Sequence, residues 1–445
     1  MQNTRVLTGI KPSGTPHLGN YVGAIRPAIA ASRQGGIESF FFLADYHALI
    51  SVTEPARVQD ATLQIAASWL AAGLEPEPGR VWFYRQSDLP ETTELTWLLS
   101  CVAGKGLLNR AHAYKAANDR NREAGLDEDA GVSAGLYMYP VLMAADILLF
   151  NAHRVPVGRD QVQHIEMARD FAQRFNHLYG EHFTLPEAAI EEHVATLPGL
   201  DGRKMSKSYD NVIPLFAPRE RLRKLVFSMV TDSRGPSEPK DTEGSNVFEL
   251  YQAFASEEET AAMRSAFAGG IAWADAKQAL FERIDAELAP VRERYQELVA
   301  TPERIEALLQ ENAARLREQK VAPLLRELRA AVGLRPLTVA AGRPSTQARS
   351  RATAPVFKQY READGRFGFK LVDGDRTLLV AEGFASPKEC GQFIASLRGG
   401  RYDADDERLQ RGEGVEADDV RAALQAMAEA DERKARERSG EGEGA

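Results

Sequence analysis

Three short apolar runs near the start of the chain constrain its fold more than any other feature. They are Val6 to Ile10, "ESFFFLAD" (38–45) and "RVWFYR" (80–85). Each has the length and the β-branched or aromatic content of a strand buried on both faces. Helix-like stretches lie between them: Leu18 to Ser32, which Pro27 is expected to bend, and Val58 to Ala72. Such alternation argues for an α/β fold built on a doubly wound parallel sheet. Residues 91–150 read mainly as helix, broken by a polar loop over 117–131. "HRVPVG" (153–158) returns to strand and hands over to the helix "DQVQHIEMARDFAQRF".

From Pro218 to Gly333 the pattern becomes helical throughout. Ser256 with Glu259 fits a capping box, Thr301-Pro302 a helix start, and Gly333 a C-cap. The polar stretch 335–354 has no apolar period and reads as a linker. Beyond it, "VFKQYRE", "FGFKLVD" and "TLLVAEG" read as three strands joined by Asp364-Gly365 and Asp373-Gly374 turns, and Ser386 to Glu389 caps a helix ending near Leu397. The chain is therefore expected to divide into a sheet domain (1–217), an all-helical domain (218–334), the linker, a small α+β (β-β-β-α) domain (355–400) and a charged tail (401–445), partly helical and partly disordered.

Composition narrows the function classes. No apolar run approaches the ~20 residues of a membrane span, and "MQNTRVLTGI" lacks the pattern of a signal peptide. Only Cys101 and Cys390 are present, which supports neither a disulfide framework nor a cysteine metal site. A cytoplasmic protein with no metal cluster is expected. The net charge of −9 argues against a general nucleic-acid binder, but residues 201–240 carry 9 basic against 5 acidic side chains. A polyanion could meet that part of the surface.

Two motifs carry chemistry. "GIKPSGTPHLGN" (9–20) lies between the first strand and the first helix, where backbone N–H groups and a helix N-terminus favour phosphate. Gly14 and Gly19 permit close approach of a ligand, and His17 can donate to a phosphate oxygen; alternatively, the segment is only a tight turn with a solvated histidine. "KMSKS" (204–208) places Lys204 and Lys207 three apart in a loop, able to neutralise charge on a departing pyrophosphate. A solvated basic loop is the bland alternative. A third stretch, "YMYPVLMAADILLF" (137–150), sets Tyr139, Met143 and Asp146 on one face of an apolar helix. A carboxylate there needs a donor, either a structural partner such as an arginine or a ligand with one N–H on an apolar body. The indole of tryptophan is such a ligand.

His17-Leu18-Gly19-Asn20 and KMSKS together resemble the HIGH and KMSKS signatures of class I aminoacyl-tRNA synthetases, with Asn20 in place of the last His. The combination with "YMYPVLMAADILL" and "VPVGRDQVQHIEMARDFAQRFN" more closely resembles the bacterial tryptophanyl-tRNA synthetase family over residues 4–333. The resemblance implies a Rossmann-like sheet domain and an ATP-dependent reaction: the carboxylate of L-tryptophan attacks the α-phosphate, and the adenylate acylates the 3′ end of tRNA(Trp). It implies Mg²⁺ accompanying ATP, anticodon recognition by the helical region, and a homodimer. His17, Lys204 and Lys207 would be catalytic. ATP would meet Lys11, Ser13, Gly14, His17, Gly19, Asn20 and Lys115, and the loop residues Lys204, Met205, Ser206, Lys207 and Ser208. Asp146 would read the indole N–H, with Met143 and His47 beside the ring. Tyr139, Asp160 and Gln161 would hold the ammonium and carboxylate, and Gly9, Val155, Val157 and Gly158 would complete the tryptophan pocket.

This chain departs from the family pattern at Lys11, where Gln is common, in a longer 117–131 segment, and at Tyr209 after KMSKS. A tyrosyl-tRNA synthetase is the nearest competing reading, but its pocket helix is expected to be more polar. A non-catalytic tryptophan- or tRNA-binding paralogue is the other, and it would be free to lose His17, Gly19, Lys204 and Lys207, all present here. Residues 355–398 resemble the small β-β-β-α repeats of the YegP-like family, a likeness that implies no activity.

Overall fold

The computed structural model describes residues 3–12, 14–190, 197–334, 355–362, 364–373, 376–403, 406–412 and 414–440. The linker 335–354 and Ser13 lie outside them. Residue contacts divide the chain into two units, Met1–Arg335 and Pro336–Ala445.

The first unit is built on five parallel strands: β1 (Thr4–Ile10), β2 (Ile37–Leu43), β3 (Val81–Arg85), β4 (Arg154–Val157) and β5 (Glu187–Ile190), in the order β3-β2-β1-β4-β5. The apolar runs are continuous because both faces are covered. Phe41, Leu43, Val81 and Phe83 enter one buried cluster, while Phe40, Phe42, Trp82 and Tyr84 enter the other. The helix Pro55–Ala71 packs on the first face through Ile65, Ala66, Trp69 and Leu70. The helix Ala134–Leu148 packs on the second through Val141, Ala144, Ala145 and Leu148. Strand order reverses between β1 and β4, so the crevice at their carboxyl ends is where such a sheet takes a ligand.

Two local expectations are corrected. Leu18 to Ser32 is helical, but the chain widens into a π turn at Tyr21–Ile25 before the regular helix Arg26–Ser32, and Pro27 sits in the first turn of that helix. The backbone is already helical at Ile25 (φ −66°, ψ −54°), so the proline sits in a continuing helix directly after the π turn. The polar segment 117–131 is half helix: His112–Glu123 continues through it, and the loop that follows is fastened when Asn121 Nδ2 donates to the carbonyls of Glu128 and Ala130 (both 2.8 Å).

The helices after 218 do form: Arg219–Ser228, Asn246–Phe254, Glu257–Ala268, Trp273–Ala300, Pro302–Leu316 and Ala322–Ala331. The Ser256–Glu259 capping box is present, and Gly333 closes the last helix with φ +87°. Their apolar faces extend the same two buried clusters, through Leu222, Leu280 and Ile284 on one side and Leu316, Leu325 and Leu328 on the other.

The second unit is an antiparallel sheet of β6 (Val356–Arg361), β7 (Phe367–Asp373), β8 (Arg376–Phe384) and β9 (Leu409–Arg411), with helices Pro387–Arg398 and Ala417–Gly440. The expected boundary at 400 falls inside its core. The segment read as a charged tail supplies a fourth strand and buries Val420, Ala423, Leu424 and Met427 beside Phe369, Leu371 and Cys390. Those four residues recur at helical spacing within a charged background, which masks them in a compositional reading. The Asp373-Gly374 turn lies partly outside the described residues.

Candidate active site

At the carboxyl end of β1 the chain turns through Gly14 (φ +82°) and enters the helix at His17. His17 and Asn20 form a reciprocal cap: Asn20 N donates to His17 Nδ1 (3.3 Å), and His17 N donates to Asn20 Oδ1 (3.1 Å). Asn in the fourth motif position is therefore the cap partner. Because Nδ1 accepts, the proton of a neutral His17 resides on Nε2. Burial, helped by the positive charge of Lys207, pushes its pKa down to about 4, so the neutral donor form prevails at neutral pH.

The KMSKS loop reaches this point through backbone pairing. His17 bridges Pro214, Leu18 N donates to Ile213 O (3.0 Å), and Leu215 N donates to Pro16 O (3.0 Å). Met205, buried, packs 3.7 Å from where a Gly19 Cβ would stand, and its N–H is held by Leu197 O (2.9 Å). Lys207 Nζ lies 3.9 Å from the Cβ position of Gly14, so a larger residue there would crowd the ammonium. Partial burial lowers the Lys207 pKa. Asn211, 2% exposed, ties the loop from within: it accepts from Ser206 N (2.8 Å) and donates to Asp201 Oδ1 (2.7 Å) and Lys204 O (3.1 Å). A cavity of about 430 Å³ is lined by His17, Gly19, Asn20, Lys204, Met205, Ser206 and Ser208, with Tyr209 at its edge. A second, of about 400 Å³, joins Gly9, Lys11, Gly14 and Asn20 to Val157 and Gly158 of the β4 end.

Asp146 is 3% exposed on the helix Ala134–Leu148. Its partners are His47 and Gln86 rather than the arginine considered as a structural alternative. His47 Nε2 lies 3.0 Å from Oδ2, and Gln86 Nε2 lies 2.9 Å from each oxygen. Burial raises the Asp146 pKa, while these two partners oppose the rise. The His47 ring meets Tyr139 edge-on at 6.1 Å, and the Tyr139 hydroxyl pairs with His164 Nε2. Burial, aided by the charge of Asp160, pushes the Tyr139 pKa up to about 12, so it stays a neutral hydroxyl. Gly9 is small for a reason: a Cβ would stand 2.9 Å from the Phe42 ring, which stacks on Tyr84, itself buried and under the charge of Asp146. Gln161 Nε2 donates to Asp160 Oδ2 (2.9 Å), while Val155 and Val157 pack into the same core as Met143.

Expected residues thus fall in two groups, one around His17 and the KMSKS loop after β1, the other around Asp146, held by His47 and Gln86, which follow β2 and β3. Lys115 is not brought to either group: it is exposed on the helix His112–Glu123 and lines neither cavity. Gln86, Phe42, Tyr84, His164 and Asn211 were not expected. Gln86 had a signal, its place immediately after β3 at the sheet's ligand-facing edge. Phe42, Tyr84 and His164 are aromatic or neutral polar residues whose partners lie far along the chain, and Asn211 is a neutral amide whose partners are within its own loop.

A family profile described as tRNA synthetases class I (W and Y) matches residues 1–289. A tryptophan–tRNA ligase of Xanthomonas axonopodis pv. citri is 66% identical over 429 residues, spanning 96% of this chain and 99% of that protein. The chain belongs to the tryptophan–tRNA ligases. The Pseudomonas aeruginosa ligase is 59% identical over 401 residues, 89% of each chain. A crystal structure of the Campylobacter jejuni tryptophanyl-tRNA synthetase, complexed with ADP and tryptophan, superposes with a TM-score of 0.67 at 40% identity, covering 74% of this chain and 100% of that one. For a ligase of this family, the departure at Tyr209 has a local explanation: its ring lies under the Arg203 guanidinium at 4.4 Å.

Proposed function

We propose that this chain activates L-tryptophan with ATP, releasing pyrophosphate, and transfers the aminoacyl group from the adenylate to tRNA(Trp), releasing AMP. In the first step a tryptophan carboxylate oxygen bonds to the α-phosphorus as the bond to the pyrophosphate oxygen breaks. In the second, a hydroxyl of the terminal tRNA ribose attacks the aminoacyl carbonyl, and AMP leaves. No protein nucleophile takes part. His17 Nε2–H donates to a phosphate oxygen, and Lys204 and Lys207 meet the charge that grows on the leaving pyrophosphate. Lys11, Gly14, Asn20, Met205, Ser206 and Ser208 surround the nucleotide. Asp146, His47, Tyr139, Met143, Gln161 and Asp160 select and hold the amino acid.

The observation that carries this reading is the antiparallel pairing of Pro16–Leu18 with Ile213–Leu215, alongside which the neutral imidazole lies beside Gly19 and the Lys207 ammonium beside Gly14. Among the described residues, no group of three His, Cys, Asp or Glu could hold a metal ion. Mg²⁺ enters as part of the MgATP substrate, coordinated mainly by phosphate oxygens. Among the described residues, no helix is long and apolar enough to cross a membrane. We place the enzyme in the cytoplasm as a homodimer, with residues 218–334 reading the anticodon.

Exchange of labelled pyrophosphate into ATP, run with each of the twenty amino acids, tests the reading; only tryptophan should support it strongly. Lys207→Ala should lower the exchange rate about a hundredfold and leave tryptophan binding within about twofold. Exchange driven by tyrosine, or undiminished by the substitution, would overturn the assignment.

A further inference from the structure

Gln86 is fully buried, and its carboxamide is fixed at both ends. Oε1 accepts from Tyr46 N (3.1 Å), and Nε2 faces both oxygens of Asp146 (2.9 Å each). The reverse amide orientation would set oxygen against carboxylate and N–H against N–H. Gln86 is therefore held as a donor toward Asp146 by the Tyr46 N–H, which it shares with Asp45 Oδ1 (3.1 Å). With His47 on Oδ2, the Oδ1 edge carries one partner fewer.

We propose that Gln86 is a positioning residue for amino-acid selection, holding the Asp146 carboxylate as an acceptor whose Oδ1 edge is directed to the substrate's indole N–H. This rests on the tryptophan reading above. The charged and titratable groups around Asp146 divide the work. His47, from the helix Asp45–Ala48, supplies the second donor. Asp45 on the same helix is engaged by the backbone N–H groups of Tyr46 and Ser87. Tyr84 of β3 is buried and neutral, and Tyr139 and His164 lie beyond His47. Gln86 is thus the neutral donor in the set, and its support for Asp146 does not vary with pH.

Two variants test this through the KM for tryptophan in pyrophosphate exchange, measured between about pH 6 and 9 with the KM for ATP and the melting temperature as controls. In Gln86→Glu, the new carboxyl and Asp146 share one proton at low pH, so a donor is retained and the KM for tryptophan stays near wild type. As that proton is lost, the KM should climb about tenfold or more, whereas the wild-type profile stays flat. Gln86→Leu should raise the same KM about ten- to a hundredfold at every pH, with the KM for ATP unchanged. A Gln86→Glu profile that tracks wild type, or equal losses in the two KM values, would overturn the proposal. Absence of tryptophan-dependent exchange in the wild-type protein would instead sink the reading beneath it.

Discussion

His17 and His164 are both pushed down to about pKa 4, chiefly by burial, from an ordinary 6.5. Between these values the unfolded chain binds protons that the folded chain refuses. Each histidine therefore contributes stability that is complete above about pH 6.5 and fades as the pH falls toward about 4. Replacing His164 by Gln should flatten this acid limb: the urea midpoint of the variant should fall less than that of wild type between about pH 7 and 4.5. At the same scale, Asp146→Asn keeps the volume but exchanges an acceptor for an amide able to present its N–H to the indole. The KM for tryptophan should rise about a hundredfold, with ATP binding unchanged by equilibrium titration. Asp146 and His17 could be read from sequence because a carboxylate in an apolar helix, and a histidine in a glycine turn, are conspicuous anywhere. Gln86 and Asn211 could not. A neutral amide has meaning only once its partners are known, and those of Gln86 lie 40 and 60 residues away.

The elements were legible where one periodicity dominates. β1 to β4 followed from apolar runs, and the capped helices from their end residues. The π turn at Tyr21–Ile25 has no such signature; Tyr21, which opens it, and Arg26, which follows it, meet Glu287 (both 3.1 Å) on a distant helix. The KMSKS loop offers an element-scale prediction. Asn211 supplies its internal ties, so Asn211→Ala leaves the Ser206 N–H and the Lys204 carbonyl without their partner. The loop should lose its fixed shape, raising the KM for ATP about tenfold while tryptophan binding and the overall melting temperature change little. Limited proteolysis between residues 201 and 211 should accelerate in parallel.

At the scale of the whole molecule, every described residue of the two groups belongs to the unit Met1–Arg335. The Campylobacter jejuni structure covers 74% of this chain with 100% of its own, so a chain shorter than this one forms a similar fold. A protein ending at Arg335 should therefore keep tryptophan-dependent pyrophosphate exchange within about threefold of the full chain. The expected division at 217 was drawn from a change in periodicity, and the helices beyond it nonetheless share buried clusters with the sheet. Pattern reports what a segment forms, while the depth of its packing against distant segments is settled by shape.

The seam between Pro16–Leu18 and Ile213–Leu215 joins two stretches separated by about two hundred residues of intervening chain. During synthesis on the ribosome, the first strand and its glycine turn emerge early but lack the opposite wall. Nucleotide capture must wait until Leu215 has cleared the exit tunnel, so a nascent chain arrested before that point should show no protection by ATP against protease, however much of its sheet has already formed.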